Sequence, residues 1–150
     1  MGMRANAAYT AAKGALLGLG RNLALEGQSH GIRVNLFGPL AGTAMARQMI
    51  EEESMHQWMT QQFPASATSA VVAWLIHEQC DVNGEFITPY GRGVGRKILS
   101  YSKGVVCDDG AFIPETARHN FPQAIDLDGA ILVKSMQEVM DKIVIPRTVN

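Results

Sequence analysis

Cysteine, charge of one sign and long apolar runs are all scarce in this 150-residue sequence, and each shortage closes off a class of function. Cys80 and Cys107 stand far apart, in neither a Cys-x-x-Cys nor a Cys/His ligand spacing. That argues against structural zinc and against a disulfide scaffold, and fits a reduced intracellular protein. His30, His56, His77 and His119 have no paired ligand spacing either, so no metal site is expected. Thirteen Lys and Arg against fourteen Asp and Glu leave a net charge of −1 with no basic stripe, which excludes nucleic acid as a partner. No apolar run approaches the roughly 20 residues of a membrane span, and no basic-then-apolar leader is seen. A soluble protein with no membrane role is expected, with the cytoplasm as its default compartment.

What is present is one domain's worth of chain, enough to bury roughly 70% of its unfolded surface. It carries no repeat, low-complexity tract or evident linker. The Ala- and Leu-rich stretch from about Ala5 to Glu26 predicts a long helix, buried on more than one side by Leu16, Leu17, Leu19, Leu23 and Leu25. Gly14, Gly18 and Gly20 within it each cost about 1 kcal/mol relative to Ala, which implies a closely approaching backbone. After the Gly27–Gly31 turn, residues 32–37 (Ile-Arg-Val-Asn-Leu-Phe) predict a strand. Residues from about Thr43 to Gln61 form a Met-rich helical excursion with a solvated Glu51-Glu52-Glu53 run. Pro64 and Ser66 start a second buried helix over residues 67–77. Asn83-Gly84 turns into a last strand over residues 85–90, and Gly91-Arg-Gly93-Val-Gly95 reads as the turn that ends it. Apolar residues at helical spacing predict a terminal helix from Ala130 to Ile143. Helix alternating with strand argues for an α/β sheet.

Tyr9 and Lys13 carry the chemistry, because residues four apart on a helix serve one bound molecule. A tyrosine titrates near pH 10 and is a poor base at neutrality unless a cation stabilises its phenolate. Lys13 is placed to be that cation. Tyr9 could then take the proton of an alcohol as hydride leaves the same carbon, or give it to a carbonyl in reverse.

Tyr9-x-x-x-Lys13, the helix end near Gly27, the segment from Gly31 to Asn35 and then Pro39 together resemble the short-chain dehydrogenase/reductase family in order and spacing. Residues 39–45, Pro-Leu-Ala-Gly-Thr-Ala-Met, look like the variant in the (3R)-hydroxyacyl-CoA dehydrogenase part of peroxisomal multifunctional enzymes. The stretch from Trp74 to Phe86, followed by Gly91, Gly93, Gly95 and Lys97, is similar to the same subgroup. The resemblance implies that Tyr9 is the general acid/base and that Lys13 holds the nicotinamide ribose and activates Tyr9. It also implies that Pro39, Ala41, Gly42, Thr43 and Ala44 form the loop touching the cofactor, through backbone groups of Ala41 and Gly42 and the Thr43 hydroxyl. NAD is the implied cofactor, with NADP left open. The implied substrate is a secondary alcohol or its ketone, with a 3-hydroxyacyl-CoA the narrower choice. A homodimer through the first helix is implied as well.

The glycine-rich cofactor loop, the ribose selector, the catalytic asparagine and the serine of that family would all fall before Met1. The expected fold is therefore the C-terminal half of a Rossmann-like doubly wound parallel sheet, lacking the N-terminal dinucleotide-binding half. Its partial dehydrogenase domain would occupy 1–150, with a core to about residue 95 and a helical extension from about 96. Lost strands would normally lie beside residues 32–37. The rival reading is a noncatalytic fragment acting as a dimerisation module, or a partial gene with its start upstream. The ending, residues 147–150 (Arg-Thr-Val-Asn), is no peroxisomal tripeptide.

Overall fold

The first predicted helix is present as α1, Ala7–Gln28, in a computed structural model that describes residues 6–107 and 113–144. The chain divides into two compact units, residues 1–97 and 98–150. In the first, α1 ends at a turn where Gly31 takes a left-handed φ of 69° and the Ile32 N–H donates back to the Gly27 carbonyl. A three-stranded sheet follows, in the order β1 (Leu36–Phe37), β2 (Phe86–Tyr90), β3 (Gly93–Lys97). β1 runs parallel to β2, with Leu36 opposite Phe86, and β2 runs antiparallel to β3.

Two expectations change here. Only two residues of the 32–37 stretch join the ladder, because the backbone at Val34 is held by the side chain of Asn83 and by the Gly84 N–H instead. Nor is 85–90 the last strand of a parallel sheet. Gly91, at φ 53°, and Arg92 make a two-residue hairpin turn, and Gly93 and Gly95 lie in β3 as an antiparallel edge. The Tyr90 ring fills the space over Gly93, where a Cβ would come within 2.6 Å of it.

Between β1 and β2 the chain makes α2 (Ala44–Met49), α3 (Glu53–Gln62) and α4 (Ala65–Leu75). The single Met-rich helical excursion is thus two helices. Ile50 and Glu52 adopt extended backbone, and Glu53 supplies the negative charge that favours a new helix start. α4 begins after Pro64 as expected.

In the second unit β4 (Ser100–Tyr101) pairs antiparallel with β5 (Ile131–Leu132). α5 spans Pro114–Ala124, and α6 (Met136–Val139) runs into a π-helical turn over Met140–Val144. The expected helix from Ala130 is therefore corrected. Gly129, at φ 65°, turns the chain into β5, and helix begins only after Ser135, whose hydroxyl accepts from the Glu138 N–H at 3.1 Å. The sequence also signals α5, through Pro114 and Glu115 in its first turn, within the expected helical extension but without bounds assigned beforehand.

Buried apolar side chains among the described residues are few: Ala24 and Cys80 in the first unit, Val133 and Val139 in the second, with Pro89 also enclosed. Leu16, Leu19, Leu23 and Leu25 are exposed, as are Val72, Trp74 and Ile76. Among the described residues, the burial expected for the leucines of the first helix and for residues 67–77 goes no further than half-buried Leu17, Val71 and Leu75. Among the described residues no helix is long and apolar enough to cross a membrane.

Candidate active site

One stripe of α1 organises the site. Gly20 and Ala24 are its buried residues, and Gly27 lies one turn further on the same side. A Cβ at Gly20 would fall 2.7 Å from a methyl of Leu36, and one at Gly27 would lie 3.1 Å from the Ile32 Cβ. The stripe is small because β1 and its approach press into it. Moving back along the helix by fours and threes, the same face carries Leu17, Lys13 and Tyr9.

The two contacts also fix direction, since Gly27 meets Ile32 and Gly20 meets Leu36, so α1 and β1 run oppositely. From Gly20 back to Lys13 the helix rises about 10 Å, close to what the strand covers between Leu36 and Pro39. From Gly20 to Tyr9 the rise is about 16 Å. Beyond β1 the pairing with β2 continues to Leu40, whose N–H donates to the Pro89 carbonyl at 2.9 Å and which bridges Tyr90 in parallel. Because α1 runs opposite to β1, its N-terminal turns, with Lys13 and Tyr9, lie toward the end of β1 from which the loop with Pro39, Ala41, Gly42, Thr43 and Ala44 departs.

The pair itself is open to solvent, with Tyr9 58% exposed. The Lys13 Nζ sits 5.4 Å from the centroid of the Tyr9 ring, within cation–π range. Among the described residues neither the Tyr9 hydroxyl nor the Lys13 ammonium has a hydrogen-bond partner, so both are free to meet a ligand.

The loop is more committed than the sequence suggested. The Gly42 N–H donates to the Phe63 carbonyl at 2.8 Å, and a Cβ at Gly42 would lie 2.7 Å from the Thr60 Cα. The Thr43 hydroxyl oxygen accepts from the Ala46 N–H at 3.2 Å and caps α2. The Gly42 N–H is therefore engaged by the residue that caps the end of α3. The Thr43 hydroxyl keeps its proton to donate. Pro39, Thr43 and Ala44 are exposed, and Ala41 is half-buried. Sequence reasoning missed Thr60 and Phe63, which anchor this loop, because nothing local links them to Gly42.

A Tyr/Lys pair on one helix face and a loop leaving the carboxyl end of a strand can be set against known proteins. Residues 1–85 match the family model described as enoyl-(acyl carrier protein) reductase. The peroxisomal multifunctional enzyme type 2 of Mus musculus is 28% identical over 132 residues, covering 87% of this chain and 17% of that protein. A protein of Mycobacterium tuberculosis named as a short-chain type dehydrogenase/reductase is 33% identical over 122 residues, covering 81% of this chain and 41% of that one. The structure of full-length peroxisomal multifunctional enzyme type 2 from Drosophila melanogaster superposes with a TM-score of 0.74 at 23% identity. That match covers 94% of this chain and 25% of the other, and shows a shared α/β fold. The chain spans less than half the length of each of these relatives.

Proposed function

The chain belongs to the short-chain dehydrogenase/reductase family, and from that premise we propose that it contributes the catalytic half of an NAD(P)-dependent oxidoreductase acting on a secondary alcohol or its ketone. The observation that supports this reading is the Tyr9–Lys13 pair on one face of α1, with the Lys13 Nζ 5.4 Å from the Tyr9 ring centroid. The donor set suits a nicotinamide nucleotide in part. A free ammonium and a free phenol match ribose hydroxyls and a reacting carbinol, whereas the Gly42 N–H is not available. The chemistry supplied by a bound nicotinamide is acceptance of hydride.

Everything else falls to the chain's own groups. Lys13 would hold ribose hydroxyls beside Tyr9. Tyr9 would accept the alcohol proton at its Oη, or return it to a ketone oxygen. The Thr43 hydroxyl and the Ala41 backbone would border the nicotinamide ring, with Pro39 and Ala44 flanking them. The narrower substrate in this proposal is a 3-hydroxyacyl-CoA, supported by the peroxisomal multifunctional enzyme among the relatives. The narrower cofactor is NAD. The narrower fold is half of a Rossmann-like sheet, supported by a β1 whose second edge has no strand beside it among the described residues. Cytoplasmic residence belongs to the proposal as well, and imaging of the native protein against a peroxisomal marker decides it.

Isothermal titration of the chain with NAD, with turnover of a 3-hydroxyacyl-CoA, tests the enzyme reading. Tyr9→Phe is expected to abolish turnover while leaving NAD affinity within about threefold. No NAD binding at millimolar concentration would overturn the reading for this chain.

A second reading, a dimerisation module, draws on α1. Gly14 and Gly18 have nothing within 4 Å of a Cβ, and Leu16, Leu19 and Leu23 are exposed beside them. Gly18→Leu separates the cases. In a monomer it stabilises α1 by about 1 kcal/mol through helix propensity. At a helix-to-helix contact it abolishes the dimer seen by sedimentation velocity.

A further inference from the structure

The two arms of the candidate site sit on different elements, Tyr9 and Lys13 on α1 and the cofactor loop at the end of β1, so something must fix α1 against β1. The packing between them rests on glycines, which set distance but not angle. Asn83 lies on neither arm and binds both. Its Oδ1 accepts from the Val34 N–H at 2.8 Å, just before β1, and its Nδ2 donates to the Ala24 carbonyl at 3.1 Å, inside α1. Both bonds are partly buried. The Ala24 carbonyl lies where the helix touches the adjoining turn, since a Cβ at Gly84 would come 3.6 Å from the Ala24 Cβ.

A second asparagine holds Asn83 in place. The Asn35 Nδ2 donates to the Val82 carbonyl at 2.8 Å, and its Oδ1 accepts from the Glu85 N–H at 3.1 Å, so its side chain brackets Asn83-Gly84 from both sides. The Gly84 N–H closes the set on the Val34 carbonyl at 2.9 Å. One amide group thus joins a helix and a strand segment through both of its functions, a donor and an acceptor that no carboxylate, hydroxyl or aliphatic residue supplies in the same plane.

We propose that Asn83 is a positioning residue: its bridge between the Ala24 carbonyl and the Val34 N–H sets the angle of α1 to β1, and so the placement of Tyr9 and Lys13 relative to the cofactor loop. This rests on the reading of Tyr9, Lys13 and that loop as the site. A small misplacement of a general acid/base costs turnover far more than binding. The effect belongs in kcat.

Asn83→Asp keeps the acceptor for Val34 and removes the donor for Ala24. In the full chain, nuclear Overhauser contacts between Gly20 and the Leu36 methyls are expected to weaken with the sheet contacts intact. The kcat is expected to fall about 10- to 100-fold, with the NAD dissociation constant within about threefold of the unmutated chain. A folded Asn83→Asp with unchanged Gly20–Leu36 contacts and unchanged kcat overturns the proposal. If the unmutated chain neither binds NAD nor turns over, the functional reading fails, and the Gly20–Leu36 contacts alone decide the role of Asn83. If the variant does not fold, exchange in the unmutated chain decides. Protection of the Val34 backbone amide and of the Asn83 side-chain amide supports the bridge, and exchange of the Asn83 side-chain amide at the rate of an exposed asparagine overturns it.

Discussion

Two glycines show that the wall a side chain would meet matters more than the closeness of the meeting. A Cβ at Gly20 and one at Gly42 would each come 2.7 Å from a neighbour. At Gly20 the neighbour is the end of the Leu36 side chain, which can change rotamer; at Gly42 it is the backbone of Thr60 and Met59, which cannot yield without moving α3. Gly42→Ala is therefore expected to cost about 1–3 kcal/mol, within the usual range for overpacking, and Gly20→Ala clearly less. Urea unfolding of the two variants beside the unmutated chain checks the order. Gly84 adds a different constraint, since its φ of 74° strains any residue with a Cβ whatever the room. Gly84→Ala should cost about 1–2 kcal/mol by the same assay.

Among the elements, what the sequence made legible was what depends on neighbours in the chain. α1, α4 and β2 emerge within a few residues of their expected bounds because composition, Pro64 and Asn83-Gly84 act locally. Misreadings came where a distant partner decided the outcome. β5 is a strand because it pairs with β4, and the 32–37 stretch is mostly not ladder because Asn83, far along the chain, takes its backbone. In the site, the helix that carries Tyr9 and Lys13 was legible from composition, while their proposed roles came from the family resemblance rather than from spacing. The commitment of Gly42 to Phe63 was not legible, since it is made by a helix excursion returning to its start.

Capping gives the element scale a measurable test. The Thr43 hydroxyl caps α2, and Thr43→Ala is expected to cost about 1 kcal/mol in the exchange protection of the Ala46 amide. The second unit carries a pH dependence. The side-chain hydrogen bond from Lys142, 2.6 Å away, holds the Glu138 carboxyl below its ordinary value, outweighing the opposing effect of desolvation. A lowered value in the folded chain means that this contribution to α6 is present above the unfolded carboxylate range and is lost as pH falls through the lowered value. Carboxyl-carbon titration by NMR should show Glu138 protonating late on acidification, and Lys142→Met should return it toward normal.

For the whole molecule, the sparse burial sets the behaviour of the isolated chain. Among the described residues each unit encloses few buried apolar side chains, while aromatic and aliphatic residues such as Trp74, Ile76, Phe121 and Leu127 stand exposed. Such surface favours association or dye binding. The isolated chain is expected to enhance the fluorescence of an apolar dye and to show concentration-dependent species in sedimentation velocity. A dye-silent monomer across the concentration range would count against that expectation.

The parallel register of Leu36 with Phe86 also has a kinetic side. Fifty residues must be gathered before the first bond between those strands can form, whereas β2 and β3 meet across a two-residue turn and α1 needs only its own neighbours. Contacts between distant residues form slowly because chain closure must come first. Pulse-labelled hydrogen exchange during refolding should protect α1 and the β2–β3 hairpin early and the Leu36 and Gly38 amides last. The end of β1 that presents the candidate site would then be the last part of the molecule to exist.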